Sequence, residues 1–415
     1  MSVSTRCHGA VLLVAALVSG CGGTGGPAVG AMADAAALTC QTGLPFAGAP
    51  PHAALPASLF PAPAAIATPP ALMPEALGVL LDQQVADLLR LTGAPAVTAA
   101  ITVPGLGGWR STQGLAQAVP AQAVNEGTEF YWGSVAKPLT AVIILQLAQE
   151  GKLRLDDPLS RWYPQLPQAA RITLAQLLAH TSGLQSNVIS ASGLGAQTPA
   201  QQLALLANMP LLFCPGTNVG YSNAGYLMLA LVIEAIEQQA FDQSVQDRLA
   251  TPLGLSHLRA LRPGEEVSAT LAQPHEGRQP KADPNAWLRL GAGNVVARAE
   301  DMVVFWQAVL SGQLLAPATV QSQWALLHAL GPPTTASNQN NSWIGQGVML
   351  SEWTDDRGHA RTWLGHAGGI PTANAVLLYD PDVQAYAAVA VNSAVSSHAV
   401  ANALLKTVID WRARP

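Results

Sequence analysis

The sequence predicts a mixed α/β chain of the α+β type. One sheet is assembled from the two ends of the chain and flanked by helices, with a mainly helical lobe inserted between them. Three observations lead there. Strand-like runs stand near the start, at residues 96–103 and 109–114, on either side of a turn at 104–108. Apolar, β-compatible runs return only near the end, at residues 343–350, 375–379 and 386–391. The stretch between, residues 156–258, reads as helices with long connections.

Taken in order, the chain opens with one positive side chain, Arg6, then an apolar stretch over residues 9–18, then Val18-Ser19-Gly20-Cys21, with no acidic residue before Asp34. This pattern predicts a secretory signal over residues 1–20. The small residues ahead of Cys21 resemble a bacterial lipobox, so Cys21 is expected to become the acylated first residue of a lipoprotein. The expected location is the bacterial cell envelope, lipid-anchored and facing the periplasm or the cell exterior. Elsewhere the apolar runs, such as residues 227–233, fall far short of the ~20 residues needed to span a bilayer.

Residues 21–74 are rich in Gly, Ala and Pro, including Pro50-Pro51, Pro61-Ala62-Pro63 and Pro69-Pro70, and read as an extended tether that Cys40 could pin. Folded structure is expected from residue 75, because Leu77, Leu80, Leu81, Val85, Leu88 and Leu89 recur at helical spacing over residues 75–91. Over residues 139–148 only Thr140 and Gln146 are polar, which predicts a helix buried nearly all round. Another helix is expected near residues 301–310, and a closing one over about 398–411.

The 415 residues are 49% hydrophobic and only 11% charged, which argues against a charge-driven disordered chain. Twenty Lys and Arg against 25 Asp and Glu give a net charge of -5, and no basic run occurs, so nucleic acid is not an expected partner. At about 150 residues per domain, the length first implies two or three domains' worth of chain. Setting aside signal and tether leaves one unit, residues 75–415, with an α/β lobe over about 75–150 and 290–415 and a helical lobe over about 151–289. A monomer is expected. Removing Cys7 with the signal and giving Cys21 to lipid leaves Cys40 and Cys214, which can pair as a disulfide or stay as two buried thiols; position alone leaves both open. The nine histidines show no metal-ligand spacing, and neither a metal nor another cofactor is expected.

Only four lysines are present: Lys137, Lys152, Lys281 and Lys406. One of them stands in Tyr131-Trp132-Gly133-Ser134-Val135-Ala136-Lys137-Pro138, directly before the buried helix. Ser134 and Lys137 are three apart, which on a helix places them on one face. A serine hydroxyl is a poor nucleophile until a base takes its proton, and a neutral lysine amine can be that base. At an ordinary pKa of ~10.4 only roughly one amine in 2,500 is neutral at pH 7, so burial or nearby positive charge must depress it. The buried helix supplies burial. In the bland alternative Ser134 is a helix cap and Lys137 is solvated. A solvated lysine, however, has little reason to stand at the head of an apolar helix.

Two further segments support this chemistry. Tyr221-Ser222-Asn223 leads into the apolar stretch 224–233 and offers a phenol, able to relay a proton, beside an amide, able to hold a carbonyl or the lysine. His366-Ala367-Gly368-Gly369 precedes a late strand, where glycines let a substrate lie close to the backbone at a strand edge. Each alone is an ordinary structural feature; the force lies in finding all three in this order, widely spaced.

With these motifs, residues 76–415 resemble the serine β-lactamase-like hydrolases related to class C β-lactamases, D-alanyl-D-alanine carboxypeptidases and the esterases that share their fold. Further matches are Gly151-Lys152-Leu153-Arg154-Leu155-Asp156-Asp157-Pro158, Leu177-Leu178-Ala179-His180-Thr181-Ser182-Gly183-Leu184, Pro252-Leu253-Gly254-Leu255 and Gly291-Ala292-Gly293-Asn294-Val295-Val296. The resemblance implies a β-lactamase/transpeptidase-like fold with an antiparallel sheet. It also implies acyl-enzyme chemistry on a small-molecule or peptide substrate. Ser134 would be the nucleophile, Lys137 its base, and Tyr221 the proton relay. Asn223, His366, Gly368 and Gly369 would bind substrate. The backbone N–H groups of Ser134 and Gly369 would form an oxyanion hole, and His366 would contribute a hydrogen bond and, when protonated, charge. His366 stands where class C β-lactamases have lysine, and no Lys-Thr-Gly occurs, which makes peptidase, amidase or esterase activity the expectation over efficient β-lactam hydrolysis. Ala297-Arg298-Ala299 replaces the Ser-Thr of many relatives. The alternatives are an esterase or transesterase of the same family and, from a different class, an envelope lipoprotein that binds cell-wall peptides without turnover.

Overall fold

Strands from the two ends of the chain meet in the middle of one antiparallel sheet. In the computed structural model, residues 40–41, 43–62, 71–186, 198–262, 265, 270–281, 289–331, 341–355, 358–370 and 372–414 are described. Ala96–Val103 pairs on one side with Gly107–Gln117 and on the other with Ala385–Val391, so that Ile101 faces Trp109 in one neighbour and Ala387 in the other. The nine-stranded order runs Gln122–Ala123, Gly107–Gln117, Ala96–Val103, Ala385–Val391, Ala373–Asp380, Ala360–Ile370, Met349–Thr354, Asn341–Ile344, His328–Ala329.

Alternation along the strands gives the sheet two buried faces. Val97, Ala99, Ile101 and Val103 share a core with Val389 and Val391, and with Leu77, Leu81 and Val85 of helix Glu75–Thr92 and Leu404, Leu405 and Val408 of helix Ser397–Arg412. Each such aliphatic side chain contributes roughly 1.5–3 kcal/mol when fully buried. The alternate positions, Ala96, Ala100, Ala388 and Ala390, are small and belong to the larger core that holds Phe305 and Trp306 of helix Ala299–Leu310. Small residues on the sheet leave room for bulky ones on the helix. Between sheet and helical lobe lies helix Ala136–Gln149, buried at every position from Ala136 to Leu145. It packs against helix Asn223–Glu237 of the inserted lobe, which also contains helices Leu174–Leu178, Pro199–Leu206 and Phe241–Val245. Two of these begin with capping boxes, Thr173 with Gln176 and Thr198 with Gln201.

Two sequence expectations are corrected. The apolar run 343–350 is not one strand but the two arms of a hairpin, Asn341–Ile344 and Met349–Thr354. The Gly345 N–H donates to the Val348 carbonyl at 2.9 Å, and Gly347 has φ of +75° with no room for a Cβ, which would sit 2.2 Å from Ala141 Cβ. Only glycine fits a turn pressed that closely on the buried helix. The tether, where it is described, is also not free: residues 43–62 lie along the folded body. The Ala47 N–H donates to the Thr217 carbonyl at 2.7 Å and the His52 N–H to the Leu327 carbonyl at 2.9 Å, while the Phe60 ring meets Trp324 edge-on at 5.5 Å. Leu55, Leu59 and Phe60 pack on the main core, and this apolar gain holds a segment that composition alone reads as a spacer.

Cys40 and Cys214 are bonded, with Cα atoms 5.4 Å apart, closing 174 residues of sequence and settling the choice between disulfide and thiols. The signal and Cys21 lie outside the described residues. Among the described residues no helix is long and apolar enough to cross a membrane. Replacing both cysteines together, Cys40→Ser with Cys214→Ser, is expected to lower unfolding stability by about 2–5 kcal/mol, read from urea melts. An unchanged midpoint would show that the strap contributes nothing to the fold.

Candidate active site

Three distant segments converge on the N-terminal end of the buried helix. Ser134 lies in a single 3-10 turn, Gly133–Val135, that runs straight into helix Ala136–Gln149. Strand Ala360–Ile370 approaches this turn closely. Its pairing with Met349–Thr354 ends at Met349 opposite Gly365, while its pairing with Ala373–Asp380 continues to Ile370 opposite Ala373. Beyond Gly365 the released edge therefore meets the serine turn. A Cβ on Gly133, which has φ of +51°, would lie 2.9 Å from Gly369 N, and one on Gly368 would lie 2.0 Å from the Trp132 carbonyl oxygen. The contact exists only because both positions are glycine.

Lys137 is completely buried one turn below the half-exposed Ser134. Its Nζ lies 3.1 Å from Ser134 Oγ, 2.8 Å from Asn223 Oδ1 and 2.8 Å from the Ala292 carbonyl oxygen. The amide and carbonyl oxygens can only accept, so they take the two N–H groups of a neutral amine. Its lone pair is left to receive the Ser134 hydroxyl proton. Burial lowers the Lys137 pKa well below the ordinary value, and the positive charge of Arg289 lowers it further. Both expected causes, desolvation and a nearby cation, are thus present.

The acceptor at Ala292 was not anticipated from sequence, although Gly291-Ala292-Gly293-Asn294 stood out as a stretch. A small sheet positions it: Phe130–Tyr131 pairs with Val295–Ala297, and the Trp132 N–H donates to the Val295 carbonyl at 3.0 Å. Asn294 then shapes the turn, accepting from Gly291 N at 2.9 Å and donating to the Leu261 carbonyl at 3.0 Å. Thr140, one of the two polar residues in the apolar run, donates to the Gly291 carbonyl at 2.6 Å.

Tyr221 is hydrogen-bonded to Ser134, and its ring centroid lies 4.7 Å from Lys137 Nζ. Burial raises the phenol pKa well above its ordinary value, with the Ser134 bond opposing in part, so the phenol keeps its proton. Ser222 N-caps helix Asn223–Glu237, accepting from Gly225 N at 3.0 Å, which places Asn223 at the helix start facing Lys137. His366 is buried, with Nδ1 2.6 Å from the Ala367 carbonyl oxygen, and burial lowers its pKa to about 3. The lowered pKa favours the neutral ring, so of the hydrogen bond and the charge expected of His366 the burial favours the hydrogen bond. Among the described residues no group of three His, Cys, Asp or Glu side chains could hold a metal ion.

An antiparallel sheet closed by both chain ends, an inserted helical lobe, and a Ser-x-x-Lys turn facing Tyr-x-Asn and a His-x-Gly strand define the serine β-lactamase-like class. The chain belongs to the Beta-lactamase family, whose profile matches residues 81–408. It is 32% identical over 196 residues to penicillin-binding protein 4 of Amycolatopsis lactamdurans, covering 44% of this chain and 51% of that protein. It is 33% identical over 198 residues to esterase EstB of Burkholderia gladioli, covering 43% and 49%. The chain thus spans about half the length of the curated relatives it matches. In fold it is similar to D-amino acid amidase from Ochrobactrum anthropi SV3, with TM-score 0.67, 20% identity and coverage of 81% of this chain and 99% of that one. The penicillin binding protein from Bacillus halodurans gives 0.62, 21%, 78% and 98%.

The lowered lysine pKa has a measurable sign. Between the folded-state value and the unfolded value of ~10.4 the unfolded chain binds one more proton, so this residue makes stability rise with pH across that interval. Wild type is therefore expected to gain urea resistance from pH 7 to pH 9 relative to Lys137→Met. Parallel pH profiles for the two proteins would contradict a depressed pKa.

Proposed function

We propose that the chain is a serine hydrolase that forms an acyl-enzyme on Ser134 and acts on D-alanyl peptides, amides or esters, with weak or no β-lactamase activity. The observation that carries this is the buried amine of Lys137, 3.1 Å from Ser134 Oγ with its two other contacts both acceptors. Ser134 Oγ attacks the substrate carbonyl carbon and its proton passes to Lys137 Nζ, a transfer typically worth about 10²–10⁴-fold. The backbone N–H groups of Ser134 and Gly369 receive the developing oxyanion, each such donor being worth about 10²–10³-fold. As the carbonyl–leaving-group bond breaks, Tyr221 gives its proton to the leaving group and is reprotonated from the Lys137 ammonium. Water then releases the acyl group. Asn223 orients Lys137, and His366, Gly368 and Gly369 line the substrate strand edge.

A second reading, an esterase or transesterase, is favoured by the neutral His366 in the lysine position of class C β-lactamases and by the likeness to EstB. For location, lipidation at Cys21 and residence in the bacterial cell envelope remain our reading; the disulfide between Cys40 and Cys214 suits such an oxidising compartment.

Ser134→Ala is expected to lower turnover of short-chain 4-nitrophenyl esters by about 10⁴-fold or more and to abolish labelling by a fluorophosphonate. Intact mass after incubation with β-lactams, D-Ala-D-Ala peptides and esters shows which acyl groups reside on Ser134. Turnover surviving Ser134→Ala removes Ser134 from the chemistry. Binding without a covalent adduct or product would support a non-catalytic envelope protein instead.

A further inference from the structure

His180 stands outside the machinery described above, yet it holds the residue on which leaving-group departure depends. It follows helix Leu174–Leu178 of the helical lobe, with φ of +58°, one of four non-glycine residues in the left-handed region among the described residues. It is 1% exposed. Its carbonyl accepts the Gly220 N–H at 2.9 Å, and its Nδ1 accepts the Ser222 N–H at 2.9 Å. Those donors flank Tyr221 on either side in the chain. The imidazole ring also stacks on the Tyr221 ring, with centroids 4.5 Å apart and planes 16° from parallel, and touches Tyr226 at 5.1 Å. One residue therefore fixes the phenol ring and both neighbouring peptide groups, and its unusual backbone conformation is what lets carbonyl and ring reach the same loop.

We propose that His180 is a positioning residue for proton transfer by Tyr221, acting as a neutral imidazole that clamps the Tyr221 loop without touching substrate. The inference rests on the reading of Tyr221 as proton donor to the leaving group. Neutrality is required by the geometry: Nδ1 accepts from Ser222, so a proton there would set N–H against N–H. Burial lowers the His180 pKa well below the ordinary value, so that Nδ1 stays unprotonated and can accept. Displacement of a catalytic group by about 1 Å can cost on the order of 10²-fold. Loss of the clamp should appear where proton donation matters and be muted where the leaving group departs unaided.

The test compares kcat/KM for phenyl acetate, whose leaving group benefits from a proton, with 4-nitrophenyl acetate, whose leaving group does not. Both give the same acyl-enzyme. His180→Gly keeps the backbone freedom and removes the ring. It is expected to lose about 100-fold on phenyl acetate and less than about tenfold on 4-nitrophenyl acetate. His180→Asn, which tolerates the left-handed backbone and offers Oδ1 to the Ser222 N–H, is expected to recover about tenfold on phenyl acetate. Equal losses on the two esters, or no loss on either, overturn the proposal; equal losses with a lowered melting temperature would assign His180 a merely structural role. Tyr221→Phe separates the two levels. If it leaves the ratio between the esters unchanged, the reading of Tyr221 falls and this inference with it. If it changes the ratio while the His180 variants do not, only the present inference falls.

Discussion

The active region is organised around one constraint: an amine with no access to water must be neutral and must have each of its hydrogen-bonding positions filled. A buried ammonium without a counterion is far more costly than a neutral amine whose two protons meet acceptors. Asn223 and the Ala292 carbonyl are those acceptors, and Ser134 Oγ, 3.1 Å from Nζ, fills the third position. The same burial that would be a defect elsewhere lowers the Lys137 pKa, with Arg289 adding to the shift, as the proposed role of base requires.

Satisfying that constraint dictates how the chain is folded around it. The acceptors come from residues 223 and 292, the serine from residue 134, and the strand edge from residues 366–369, so no local stretch can build the site. Pairing of Ala96–Val103 with Ala385–Val391 brings the C-terminal strands beside the N-terminal ones. Overrun of Ala360–Ile370 past Met349 then delivers Gly368 and Gly369 to the serine turn. The inserted lobe brings Tyr221 and Asn223 to the opposite approach through one serine-capped helix. The Cys40–Cys214 bond reinforces this last element, since Cys214 lies on the loop that runs into Tyr221.

Much of this was legible in the residues. The near-continuous apolar run after Lys137 marks a helix buried on all sides, and the observed burial from Ala136 to Leu145 follows from it. Leucine periodicity located the first helix to within a residue of its observed end at Thr92. The hairpin at 341–354 was less legible, because Gly345 and Gly347 interrupt a run whose other residues favour a strand, and what demands glycine there lies in distant segments, the Gln323 carbonyl against Gly345 and Ala141 of the buried helix against Gly347. The strap over residues 43–62 was hidden for a related reason. Its few apolar groups are informative only once Trp324 and His328 are present to receive them.

The sequence by itself determined the class of fold, the Ser-x-x-Lys turn and the two supporting motifs, because each rests on residue type and on spacing within one local element. Tertiary structure decided what spacing cannot encode: that a backbone carbonyl at Ala292 completes the coordination of Lys137, that burial lowers the His366 pKa, that Cys40 and Cys214 are joined, and that the His180 ring stacks on Tyr221. All four depend on burial and on distances between segments 40 to more than 200 residues apart, and both arise only when the sheet closes.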